Sequence, residues 1–226
     1  MVYNKGEKDA TITVESNIAE TDEWSLAEFF HTWDDMGDIE RHALTMATGR
    51  TLDVGAGSGS HTLWLQEKGI PVEALDISDG AAEVMRSRGV KTVHLYDFAF
   101  FRAAEPYDTI LMLMNGAGLA GTIDGLDALL KKAKSLLAPG GQILLDSSDL
   151  IYLYEEEDGS FAIPLDGYYG ELQYTYVFKG ERSETFGWVF VDQETLQNAA
   201  ERNGLDFEVV CEGDHYDYLA RLTAKE

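Results

Sequence analysis

The sequence predicts an α/β fold: a doubly wound, mostly parallel sheet of seven strands, with an antiparallel β-hairpin inserted after the fifth. Three observations carry that expectation. Between residues 51 and 147, nearly uninterrupted apolar runs alternate with amphipathic stretches of helical period. Strands that are apolar on both sides belong in a parallel sheet covered on both faces. The first run, "TLDV", opens into "GAGSG", where Gly55, Gly57 and Gly59 occupy every second position before a helical stretch. Beyond residue 150 the pattern changes to aromatic, β-rich runs.

The 226 residues suit one domain with an ample core. A formal charge of -24, from 41 acidic and 17 basic residues, surrounds the chain with a negative field. Such a field repels phosphate backbones and anionic lipid, which argues against nucleic-acid or membrane partners. The start, "MVYNKGEKDATITVESN", has no apolar core like that of a signal peptide, and no window approaches the roughly 20 apolar residues of a membrane span. A cytoplasmic protein is expected. The lone Cys211 excludes an internal disulfide and reads as a packing residue. No zinc-like cysteine or histidine spacing stands out, so no metal is expected, and "EEEDG" at 155–159 reads as a solvated loop.

Residues 1–20 read as a polar tail and 21–226 as a single domain. Within it, 21–48 reads as a helical cap: "EWSLAEFFHTWDDM" places Leu26, Phe29, Phe30 and Trp33 on one helical face, and "DIERHALTMAT" forms a second helix stopped at Gly49. Core strands follow in "RTLDVGA", "IPVEALDIS", "VKTVHLYD", "YDTILMLMN" and "QILLDSS", separated by helices in "HTLWLQEKG", "DGAAEVMRSRG" and "IDGLDALLKKAKSLLAPGG". Ligands of such sheets bind at the carboxyl ends of the strands, where the strand order reverses. Residues 151–191 read as an inserted β-rich cover. "DQETLQNAAERNG" is a helix capped by Asp192 and stopped by Gly204, and two final strands complete the chain.

A strand, a glycine turn, a helix and a distant acid serve both dinucleotide oxidoreductases and methyltransferases. In each, glycines admit a ligand to the backbone and a carboxylate accepts ribose hydroxyls. Asp76, 19 positions after Gly57, fits either class. The dinucleotide fingerprint, however, needs glycine or alanine where this chain has Ser60, and Gly59 comes one place early. "LDVGAGSGSHTLWL" instead resembles the first motif of the class I S-adenosylmethionine-dependent methyltransferases, with Asp53 in its acidic position. "ALDIS", "HLYDF", "YDTILMLMNGAG" and "LLAPGGQILL" resemble later family segments in the expected order, so the resemblance covers residues 48–150 closely.

The resemblance implies a Rossmann-like fold, S-adenosylmethionine as cofactor and S-adenosylhomocysteine as product. It implies that Asp53, Gly55, Ala56, Gly57 and Gly59 border the cofactor, that Asp76 binds the ribose, and that Ile77 flanks the adenine. Asp97 then accepts from the adenine amino group, Phe98 packs near the ring, and Asn115 projects into the crevice. Each has a plainer reading: Asp53 can fix the loop, Asp97 can cap a turn, Asn115 can stabilise its own turn, and His61 can cap a helix.

The expected reaction is methyl transfer to a small-molecule acceptor, with a general base optional. A dinucleotide oxidoreductase and a non-catalytic cofactor-binding protein are the alternatives. Asn115, His31 and Asp149 are candidate catalytic residues. Trp33, Tyr152, Tyr169 and Trp188 are candidate acceptor contacts. "LLDSSDLIYLY" adds Asp146, Ser147 and Ser148 at a strand's carboxyl end.

Overall fold

The computed structural model describes residues 10–18 and 20–225. The chain runs through β1 (Thr11–Ser16), β2 (Asp22–Ser25), α1 (Asp38–Met46), β3 (Thr51–Val54), α2 (Ser60–Glu67), β4 (Val72–Asp76), α3 (Asp79–Arg88) and β5 (Val93–Leu95). It continues with β6 (Tyr107–Met112), α4 (Ile123–Lys134), β7 (Leu137–Ser148), β8 (Glu171–Phe178), β9 (Glu181–Arg182) and β10 (Phe186–Val189). The last elements are α5 (Gln193–Arg202), β11 (Leu205–Glu212) and β12 (Asp217–Ala224).

Seven strands form the main sheet in the order β11-β12-β7-β6-β3-β4-β5. The pairs from β7 to β5 are all parallel, and β12 runs antiparallel to both of its neighbours. The pleat explains the unbroken apolar runs. Leu52, Val54, Ile110, Met112, Ile143 and Leu145 point to one face, against Leu126 and Leu130 of α4 and Leu196 of α5. Leu111, Leu144 and Leu219 point to the other, against Leu44 of α1 and Leu65 of α2. Leu111 is fully buried, so trimming it to alanine is expected to cost about 2–5 kcal/mol.

Local chemistry sets the helix ends. The side chains of Ser78, Thr122 and Asp192 accept from Ala81, Gly125 and Thr195 amides to start α3, α4 and α5. Gly204, at φ +67°, lets the chain turn out of α5. Because β3 lies between β4 and β6, the strand order reverses there and opens a crevice at the carboxyl ends of these strands.

The described residues before α1 differ from expectation. Part of the stretch read as a polar tail is β1, paired antiparallel with β2 on one side and β8 on the other, with Val14 buried. Its partner in the insert lies more than half the chain away, a pairing with no local signal; residues 1–9 and 19 lie outside the described residues. The aromatic stretch read as the first helix of the cap is β2 followed by a 3-10 turn at Leu26–Phe30. The Ser25 hydroxyl caps that turn by accepting from Ala27, and extended backbone at His31 ends it. Thr32 then binds the Asp35 carboxylate through both its amide and its hydroxyl, closing a loop where a helix would have continued.

The segment between β7 and α5 does not stand alone. β8 pairs with β9, β10 and β1, so the insert and the N-terminal strands make a second, five-stranded antiparallel sheet.

Candidate active site

After Val54 the backbone turns back on itself. The amides of Gly55 and Ala56 donate to the Leu75 carbonyl at the end of β4, and the Gly59 amide donates to the Ala56 carbonyl. Gly55, Gly57 and Gly59 all have positive φ, at +72°, +54° and +83°, a region costly to residues with a side chain.

The three glycines do different work. A Cβ on Gly59 would lie 2.9 Å from Met85 of α3 and from Val90, so this glycine lets α2 pack against its neighbours. A Cβ on Gly57 would meet only the Gly55 carbonyl, 3.9 Å away. Bare backbone is therefore presented to open space at Gly57. Ala56 turns its methyl into the small cluster with Ala74, Met85 and Val90, leaving its backbone to line the loop.

Asp76, at the end of β4, is half-buried beside this loop. Its Oδ2 accepts from the Gly57 amide and its Oδ1 from the Ser78 amide, each at 2.8 Å. A carboxylate oxygen accepts more than one hydrogen bond, so both oxygens keep acceptor capacity for vicinal hydroxyls. Ile77 follows at 70% exposure, an apolar face beside the carboxylate.

Across the crevice, Met114 and Asn115 both adopt left-handed backbone after β6, at φ 61° and 60°. Two successive non-glycine residues in this region store strain of the kind found at functional sites. The Ser147 hydroxyl donates to Asn115 Oδ1 at 3.0 Å, and the Val191 amide donates to Ser147. Asn115 Nδ2 is buried and has no hydrogen-bond partner among the described residues. Beside it, Asp146 accepts from the Gly116 amide at 3.0 Å, and burial pushes its carboxyl up to about 6.

A family model described as a methyltransferase domain matches residues 29–211. The chain belongs to the class I S-adenosylmethionine-dependent methyltransferases. A methyltransferase from Bacteroides fragilis, crystallised with S-adenosylhomocysteine, is 45% identical and superposes with a TM-score of 0.92 over 100% of this chain and 92% of its own. An uncharacterised methyltransferase of Staphylococcus carnosus is 26% identical over 78% of this chain and 79% of its own length. A Saccharopolyspora spinosa dTDP-4-amino-2,3,4,6-tetradeoxy-D-glucose N,N-dimethyltransferase is 30% identical over 42% of this chain; the match spans only 39% of that enzyme.

Within this methyltransferase, several residues singled out from sequence also make structural contacts of their own. Asp53 is 1% exposed and accepts from the Thr62 hydroxyl at 2.6 Å; burial raises its carboxyl pKa, partly offset by nearby His61 and Thr62. It braces the glycine loop against α2 from below. Asp97 caps a short 3-10 turn by accepting from the Ala99 amide, and Phe98 is 9% exposed and packs into the main core. The exposed aromatics beside Asp97 are Tyr96 and Phe100.

Trp33 stacks on Trp64 of α2, with ring centroids 4.4 Å apart, and packs on the core beneath α1. Asp149 accepts from both the Ile151 amide and the Tyr169 hydroxyl, so these two candidates tie the insert to the end of β7. Burial, then the Asp149 carboxylate, raises the Tyr169 phenol pKa far above its ordinary value. Trp188 lies flat against Gly118, where any Cβ would sit 1.9 Å from the indole. This contact seats the insert on the turn that follows Asn115.

Tyr152 is 43% exposed and stacks on Tyr216. It lines a cavity of about 500 Å³ with Asp38, Ser148, Glu212, Asp214 and Asp217, at the carboxyl end of β7. A larger hollow of about 690 Å³, lined by Thr48, Gly49, Asp108 and Gln142, opens at the opposite, amino-terminal edge of the strands.

Two residues of the crevice carried no sequence signal. Arg88, at the end of α3, donates to the Ser58 carbonyl at 2.8 Å and to the Ser58 and Ser60 hydroxyls, fixing the glycine loop from outside. One oxygen of Glu40 in α1 is hydrogen-bonded to His61 Nε2 at 2.7 Å and lies 2.9 Å from His31 Nε2. Burial alone would raise its carboxyl; the contacts with His31 and His61 outweigh that and hold it well below the usual carboxylate range. His31 follows the 3-10 turn and His61 lies at the start of α2, with ring centroids 5.5 Å apart.

Proposed function

We propose that the open backbone at Gly57 and the carboxylate of Asp76 hold S-adenosylmethionine, and that the acceptor is a small molecule carrying an amine. The observation that carries the cofactor reading is the pairing of a glycine niche free of side chains with a carboxylate whose oxygens keep acceptor capacity. Asp76 grips the ribose hydroxyls, Ile77 covers one side of the base, and the unpartnered Asn115 amide donates into the crevice. Bound there, S-adenosylmethionine supplies a sulfonium methyl group open to in-line displacement. The chain's task is then positioning, which alone accounts for several kcal/mol of a typical barrier.

The acceptor reading rests on the cavity beside Tyr152, whose four carboxylates favour a cationic small molecule over a phosphate chain. The Saccharopolyspora relative is named for an amino-sugar acceptor, which puts amino sugars first in a screen. An ammonium must lose a proton before it attacks, and we assign that proton to Asp146, two positions before the cavity-lining Ser148 on the same face of β7. Its carboxyl, pushed up to about 6, is basic enough to take a proton and still ionised at neutral pH.

Titration calorimetry with S-adenosylmethionine on wild type and Asp76→Ala tests the first half. A panel of amino sugars and simple amines, scored by S-adenosylhomocysteine release, tests the second. Unchanged affinity in the variant removes Asp76 from the ribose site, and turnover confined to hydroxyl or thiol acceptors removes the amine.

A further inference from the structure

His31, Glu40 and His61 converge from three elements on one point beside the glycine loop. His31 follows the 3-10 turn, Glu40 lies in the first turn of α1, and His61 lies in the first turn of α2. One ligand atom from each falls within 4.8 Å of the other two. Their side chains are only 9%, 17% and 8% exposed.

The protonation pattern is what makes the cluster unusual. His31 Nδ1 lies 2.6 Å from the Glu28 carbonyl oxygen, which only accepts, so Nδ1 carries a hydrogen and donates. Nε2, on the far side of the ring, lies 2.9 Å from an oxygen of the Glu40 carboxylate, a contact that is an ion pair when the ring is protonated. Nε2 is buried and makes no hydrogen bond among the described residues. A cation, either a proton or a metal ion, is what joins that nitrogen to the carboxylate in so buried a position.

We propose that His31, Glu40 and His61 bind a divalent ion of the zinc type through two imidazole nitrogens and one carboxylate oxygen. Zinc takes nitrogen at about 2.0–2.1 Å and carboxylate oxygen at about 2.0–2.2 Å, which sets ligand atoms about 3.3–3.4 Å apart around a tetrahedral ion. The present nitrogen–oxygen separations of 2.9 and 2.7 Å need to open by roughly half an ångström, within the reach of side-chain rotation. The outer contacts that orient metal ligands are in place: the Glu28 carbonyl holds His31, and the Gly37 amide donates at 3.0 Å to the second oxygen of Glu40. A two-nitrogen, one-oxygen donor set suits zinc or cobalt better than magnesium or calcium, which prefer all-oxygen shells. Three protein ligands leave a fourth position for water or a ligand atom.

The ion would fasten the segment around His31 to α1 and α2. That segment already touches the glycine loop, since the Ser58 hydroxyl donates to the Phe29 carbonyl. A proton on His31 Nε2 is the competing occupant of the gap.

The test is metal uptake by the full chain, freed of metal by chelation and given Co(II) or Zn(II) in excess calcium, which occupies carboxylate-only surface sites. The expected result is one ion per chain, a visible Co(II) spectrum of the low-coordinate, nitrogen-ligated kind, and a rise in Tm. His61→Ala and Glu40→Gln should each weaken uptake by more than the roughly 10–100-fold that loss of an outer-shell partner causes. Circular dichroism of both variants keeps misfolding separate from ligand loss, and Glu40→Gln retains the side chain's shape. Uptake far below one ion per chain in wild type leaves the proton as occupant and overturns the proposal. Retention of the spectrum in folded Glu40→Gln and His61→Ala overturns it equally.

Discussion

The Gly57 amide donates to Asp76 Oδ2 at 2.8 Å, so the glycine loop and the end of β4 are one hydrogen-bonded unit. Removing the Asp76 carboxylate should loosen the loop and delete the acceptors of the ribose. Asp76→Ala is expected to weaken S-adenosylmethionine binding by about 1–3 kcal/mol, the range for hydrogen bonds to a charged group. Calorimetric titration measures it, and a Kd within twofold of wild type contradicts the assignment.

Alanine at Gly57 and at Gly59 should separate binding from folding. Each pays roughly 1–2 kcal/mol for positive φ. Gly59→Ala also drives a methyl into Met85 and Val90, which adds about 1–3 kcal/mol of overpacking. Gly59→Ala should therefore lose more stability in urea unfolding, and Gly57→Ala should lose more cofactor affinity in proportion to its stability. The reverse ranking would mean that the niche at Gly57 is not where the cofactor lies.

Asn115→Gly keeps the left-handed turn without strain while removing the amide. Stability should stay within about 1 kcal/mol of wild type, since relief of backbone strain offsets the lost bond from Ser147. Once an acceptor is in hand, kcat should fall at least tenfold; unchanged kcat would reduce Asn115 to a turn former.

Asp146 links stability to pH. Its folded-state pKa is raised from 3.8 to about 6, so the folded chain holds this proton more tightly than the unfolded chain does. Its contribution is thus neutral below pH 4, becomes unfavourable as pH climbs towards 6, and is fully unfavourable above that. Asp146→Asn should remove a penalty of up to about 3 kcal/mol at pH 8 and almost none at pH 4. Chemical unfolding at the two pH values reads the difference. The same variant should lose kcat/KM at pH 8 if Asp146 is the base; gain in stability with full activity would leave another group in that role.

The parts of the fold legible in the sequence were those whose signal is local. Asp192 and Gly204 bracket α5 through their own backbone preferences, and the apolar runs around Leu52, Ile110 and Leu144 become strands buried on both faces. β1 escaped notice because "TITVES" becomes a strand only by pairing with Tyr174–Val177, far along the chain. Trp33 was read on the wrong footing for a related reason: its spacing from Phe29 and Phe30 has meaning only if one helix joins them, and extended backbone at His31 intervenes. The glycine loop and Asp76 were legible because the spacing of the motif is itself the geometry. Glu40, Arg88 and the pairing of Asn115 with Ser147 depend on residues at least 20 positions apart in the chain meeting in space.

The pairing of Thr13 with Val177 makes the second sheet a late event in the life of each chain. A nascent polypeptide can assemble the strands from Thr51 to Ser148 while its opening strand still waits, and only emergence of the segment near Val177 supplies the missing edge. The same wiring bears on protein engineering. Exchanging the insert to change acceptor preference would strand the opening residues without a mate, so a successful graft has to carry both ends of that seam together.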